Sequence, residues 1–180
     1  EKDSIGKNKI VGMRYYTGPP KTGLVAQQPL TLRFTYPASN PARENIAFLV
    51  QSMLRAKPIG IDIQLREVPR EDFFTKHVNP TALDFDLTTF SWSSSILPIS
   101  GAMPLYAKNS TQNFAKDSIT PELDALIKKT SSEVDPAKRC ALANQVDAAL
   151  WETGFNIPLY VWPGTTAAIK GLANFGSFGW

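Results

Sequence analysis

The chain has 180 residues, 43% of them hydrophobic and 19% charged. That balance suits one folded domain with its own core and excludes a disordered or fibrous class. Its 19 basic and 16 acidic residues leave a net charge of +3, too small and scattered to imply nucleic acid as a partner. A single cysteine, Cys140, and a single histidine, His77, exclude an intramolecular disulfide and leave too few ligands for a structural zinc site.

The opening decapeptide, EKDSIGKNKI, is polar and is not a signal peptide. Residues 1–28 form a poorly readable lead-in: Ile10–Tyr16 is compatible with a strand, and Gly18–Gly23 with a turn rich in proline and glycine. From Leu30 the pattern sharpens. Leu30, Leu32, Phe34 and Tyr36 alternate with Thr31, Arg33 and Thr35, which predicts a strand. Asn40 then caps a helix with Pro41 at its first position. Ile46, Leu49, Val50, Met53 and Leu54 follow at helical spacing, and the helix is expected to end near Lys57-Pro58, with Gly60 as the turn. The apolar run Ile46–Val50 is far too short to span a membrane.

A second strand is predicted at Ile61–Val68, with Ile61, Ile63 and Leu65 facing in. Strand, helix and strand with short connections make a βαβ unit with parallel strands. Arg70–Val78 reads as a short helix carrying Phe73, Phe74 and Val78. Phe85–Trp92 is expected as a strand with bulky residues on both faces, hence central in its sheet. Ile99–Ser118 reads as loop. Two helices follow, each opened by a cap and a proline: Thr120-Pro121, with Leu123, Leu126 and Ile127 inside, and Asp135-Pro136, with Leu142, Ala143, Val146, Ala149 and Leu150 inside. Cys140 is expected as a small buried hydrophobe of the second. Gly154 ends that helix, and Phe155–Trp162 reads as a strand placed at an edge by Pro158.

No catalytic constellation emerges. The lone His77 lacks a G-x-S-x-G partner, so a structural histidine is expected and a hydrolase built on Ser93–Ser95 is disfavoured. Asp84 and Asp86 share a strand face, where solvated carboxylates are commoner than acid–base pairs. The glycines of Gly171–Gly179 precede no helix and form no phosphate loop. Asn109-Ser110-Thr111 matches the glycosylation sequon, a weak signal. Geometry supplies the remaining candidate, because ligands of open α/β sheets bind beyond the carboxyl ends of the strands. Those ends are Pro37–Asn40, Pro69-Arg70 and Trp92–Ser95. The first includes Ser39 and Asn40 and the start of a helix, suited to an anion or carbonyl. Trp92 offers a stacking face, and Ser93, Ser94 and Ser95 offer hydrogen bonds.

Taken in order, LTLRFTYPASNPARENIAFLVQSML, IGIDIQLREVPREDFF and FDLTTFSW resemble the C-terminal lobe of extracellular solute-binding proteins of ABC importers, in the oligopeptide- and dipeptide-binding branch. TPELDALIKKTSSEVDPAKRCALANQVDAALWE and IPLYVWPGTTAAIKGLANFG resemble that family's closing helices and strands, and the LANFGSFGW ending is most similar to actinobacterial members. The resemblance covers 29–180. It implies an α/β fold, a mixed, partly parallel sheet flanked by helices, as in one lobe of a type II periplasmic-binding protein. The lobe would span 29–170, and 171–180 would cross to an N-terminal lobe absent from this chain. It implies binding without catalysis: a peptide-like or other small polar solute held between two lobes and delivered to an ABC permease, with neither cofactor nor metal. The parent protein would be extracytoplasmic and lipid-anchored. The ligand-facing positions fall on Trp92, Ser93, Ser94, Ser95 and Ile96. Peptide receptors of this family place an aspartate three residues after the tryptophan, against the peptide α-ammonium. Here that position is Ser95, which disfavours an ordinary free N-terminus, because a buried ammonium without its carboxylate costs several kcal/mol. The rival reading is an interaction or regulatory module on the same receptor fold.

Overall fold

Alternation from Thr31 to Pro37 produces β1 (Thr31–Pro37), and the capped segment after it produces α1 (Pro41–Arg55). The computed structural model describes residues 2, 5–7, 9–19, 25–82, 84–93, 98–161 and 169–171. The second strand, β2 (Asp62–Val68), pairs with β1 in parallel, from Thr31 opposite Asp62 to Pro37 opposite Val68. A two-residue strand, β3 (Leu87–Thr88), joins the other side of β1, also in parallel, giving the order β2-β1-β3. The expected βαβ unit is therefore present.

By contact, the chain forms two compact units, Glu1–Ser91 and Trp92–Trp180. In the first unit α1 packs on β1 and β2. Phe34, Tyr36, Ala47 and Ile63 are its buried centre, with Leu32, Ile46, Val50, Leu54, Ile61 and Leu65 packed around them. Thr35 and Val68 point to the opposite sheet face and are buried there too, as are Phe73 and Val78 of the segment after β2. A parallel sheet is normally covered on both faces, which is why Thr35 is interior despite its hydroxyl. The lead-in is tied on by backbone hydrogen bonds: Arg14 N donates to Gly60 O (2.7 Å), and Leu30 N donates to Arg14 O (2.7 Å). Gly60 sits at φ 68°. A Cβ there would fall 1.7 Å from Gly12 O, so the close approach requires glycine.

The second unit holds a short helix α2 (Pro98–Ala102), then α3 (Pro121–Ser132) and α4 (Pro136–Glu152). Met103, Ala115, Ile119, Leu123, Ile127 and Val146 form its core. All three long helices begin at the expected cap: Asn40 Oδ1, Thr120 Oγ1 and Asp135 Oδ1 accept from the N–H of Arg43, Leu123 and Lys138.

Several expectations fail. Phe85–Trp92 does not form a long central strand; β1 is central, and β3 is its two-residue neighbour. At the approach to β3, Asp86 N donates to Arg33 O (3.1 Å), while Arg33 N donates to the Asp86 side chain, Oδ2 (2.8 Å). Residues 155–161 form no strand and are exposed. Ile10–Tyr16 contributes a single antiparallel bridge, Tyr15 with Pro29, in place of a strand. Arg70–Val78 contains one π turn, Phe73–His77, with Phe74 half exposed. Within Ile99–Ser118, α2 and short turns at Met103–Leu105 and Lys116–Ser118 replace plain loop, and Met103 and Ala115 reach the core. Leu49 and Met53 are exposed, because the buried arc of α1 centres on Ala47, Val50 and Leu54. Cys140 is exposed: at about 100° per residue it falls roughly 140° from the middle of the Leu142–Val146 stripe. The turn expected at Gly18–Gly23 and most of the tail from Gly171 lie largely outside the described residues.

Candidate functional site

The chain reverses between β1 and α1 within Ala38–Asn40. Ala38 N extends the β1–β2 ladder by donating to Val68 O (2.8 Å). Ser39 then adopts a left-handed φ of 57° and is exposed. Asn40, half-buried, uses its Oδ1 as the cap of α1 (3.2 Å from Arg43 N), and its backbone oxygen accepts from Glu44 N (3.0 Å). Pro41 has no N–H, so Ala42 carries the free first-turn donor. The helix start is therefore poorer in free donors than the sequence suggests.

An open depression lies beside this turn, lined by Ala38, Ser39, Glu67, Val68, Pro69, Arg70 and Glu71. It sits at the carboxyl ends of β1 and β2, where a parallel sheet presents ligands. Two of the three expected edges, Ser39 and Pro69-Arg70, thus come together. Trp92 and Ser93 are exposed members of the second unit, and the Trp92 ring meets Phe114 edge-on at 6.2 Å. Ser94, Ser95 and Ile96 lie outside the described residues.

The opposite sheet face carries a charge cluster that sequence reasoning missed. Asp84 meets Arg33 (3.0 Å), Arg66 (2.8 Å) and His77 Nδ1 (2.9 Å), and Asp86 meets Arg33 (3.0 Å). Asp84 and Asp86 are thus paired, not merely solvated. The hydrogen bond from His77 is the main cause holding the Asp84 carboxyl below the usual range; Arg66 and Arg33 add to it, against desolvation. Among the described residues His77 meets Asp84 (2.9 Å) and Arg66 (3.4 Å), which ties it into this ion-pair cluster. Glu67 and Glu71 of the depression were also missed. The signal for Glu67 was its place in IDIQLREV, one strand period beyond Leu65 on the inward face.

No family model matches the sequence. The oligopeptide-binding protein OppA of Mycobacterium bovis is 41% identical over 121 residues, 67% of this chain and 20% of that protein. The chain belongs with the oligopeptide-binding branch of the solute-binding proteins. It spans about a fifth of the length of the curated relatives it matches. Among solved structures, the oligopeptide-binding protein AppA of Bacillus subtilis, in complex with a nonapeptide, matches with a TM-score of 0.61 at 24% identity, over 71% of this chain and 25% of that one. A nickel ABC transporter protein of Bacillus halodurans matches with a TM-score of 0.57 at 26% identity, over 80% of this chain and 28% of that one. The α/β fold is accordingly that of part of a type II periplasmic-binding protein. The relatives are named as binding proteins, not as enzymes.

Proposed function

We propose that this chain is the C-terminal lobe of an ABC-importer solute-binding protein, which captures a peptide-like or other small polar solute in an interlobe cleft. The observation that carries the reading is the depression at the carboxyl ends of two parallel strands, in a chain 41% identical to an oligopeptide-binding protein. On this reading 29–170 is the lobe, 1–28 leads in from the parent protein, and 171–180 crosses to the N-terminal lobe. Ser39, Asn40 and Trp92–Ile96 face the solute, and a permease receives it. The parent protein is extracytoplasmic, as the neighbour named periplasmic EDTA-binding protein is, and is lipid-anchored. Among the described residues no helix is long and apolar enough to cross a membrane. Ser95, where peptide receptors carry aspartate, directs the preference away from a peptide α-ammonium. The alternative, an interaction module on the same fold, calls for an apolar edge; Ala38, Val68 and Pro69 line this one together with Glu67, Arg70 and Glu71. Native mass spectrometry and calorimetry on the full-length receptor test the proposal: a retained or bound small solute is expected, and an intact receptor that carries and binds none would sink it.

A further inference from the structure

Tyr36 is 6% exposed, yet its hydroxyl has no hydrogen-bond partner among the described residues. Every fully buried side-chain polar atom described has one, so this hydroxyl opens to solvent. Tyr36 and Glu67 are partners in the β1–β2 register and share the sheet face that α1 covers. Glu44 stands in the first turn of α1. Glu44 and Glu67 make no ion pair among the described residues. Ionisation of the phenol is pushed up, by burial first and then by Glu67 and Glu44. The neighbouring cations are Arg70, which lines the depression, and Arg43, whose guanidinium lies 5.7 Å from the Phe73 ring centre. With Glu71 included, three acids stand against two arginines.

We propose that Tyr36, Glu44 and Glu67 form a subsite for a cationic group of the solute, an alkylammonium such as a lysine side chain. The inference rests on the solute-binding reading and names its ligand chemistry. An ammonium has three donors and no acceptor; two carboxylates and a phenolic oxygen with free lone pairs match it, and bonds between ionised partners are the stronger kind. Tyr36 sets this apart from an ordinary acidic surface: its side chain is held in the core, while its hydroxyl, open to solvent and without a partner among the described residues, stays an unused acceptor beside Glu67, its neighbour in the ladder.

Calorimetry on the full-length receptor with two blocked tripeptides, acetyl-Ala-Lys-Ala-amide and acetyl-Ala-norleucine-Ala-amide, tests it. The lysine peptide is expected to bind about tenfold tighter or better, roughly the effect of one charge-assisted contact. Glu67→Gln and Tyr36→Phe are each expected to bring that ratio toward one, with norleucine affinity nearly unchanged. Equal affinities in the unaltered receptor, or a ratio that survives Glu67→Gln, would overturn the subsite. So would a receptor that binds neither peptide but carries another solute, and the solute-binding reading would then stand. A receptor that binds no solute at all overturns both.

Discussion

Arg33 and Arg66 stand on adjacent parallel strands and both reach Asp84, which also accepts from His77. Asp86 takes the remaining face of Arg33. Two arginines are thus balanced by two aspartates, and the loop between the π turn and β3 is tied to the sheet. The depressed Asp84 carboxyl fixes the sign of its pH effect. A carboxyl whose folded pKa lies below its unfolded value of about 3.9 stabilises the fold above that pH. The stabilisation fades as pH falls through the folded value. The Asp84 side chain is 35% exposed, so solvent screening limits the gain to about 1 kcal/mol or less. Urea titrations are expected to separate Asp84→Asn from the unaltered chain at pH 7 and to draw the two progressively together as pH falls below about 4. A gap that stays constant across that range would show that Asp84 does not titrate differently on folding.

Elements read best where their signals were local. A polar cap followed by proline fixes a helix start within a few residues, and Asn40, Thr120 and Asp135 all cap as the sequence implies. Replacing each with alanine is expected to cost about 1 kcal/mol, read as a lower denaturation midpoint; no change at any of the three would mean the caps are idle. Patterns that depend on distant partners read less well. Phe85–Trp92 has the composition of a central strand, but its pairing depends on β1, some fifty residues earlier, and only Leu87 and Thr88 enter the ladder, with Asp86 bonded to Arg33 through both its N–H and its side chain. Leu49 and Met53 continue an apolar stripe that outruns the sheet surface available to α1. The site divides along the same line. Ser39 and Arg70 were legible because strand ends are local features, whereas the approach of Tyr36 to Glu67 needs the parallel register.

At the scale of the whole molecule, the decisive fact is how little of the relatives this chain spans, 20% of OppA. On the proposed reading the chain is one lobe, which lacks the partner lobe's share of the contacts and cannot close on a solute. The isolated chain is therefore expected to bind the solute of its parent far more weakly than the full receptor does. Side-by-side calorimetry checks this, and micromolar or better affinity from the chain alone would contradict it.

The exposed stretch after α4 has a consequence for how the chain behaves in company. Ile157, Leu159, Tyr160 and Val161 are each more than half exposed, and a run of such residues is the kind that templates intermolecular strand pairing and fibril growth. Pro158 stands inside it. A neighbouring chain that tries to zip along 155–161 meets a position with no N–H to give, and the ladder is interrupted there. The residue that weakened the strand signal in the sequence thus serves as a gatekeeper against self-association.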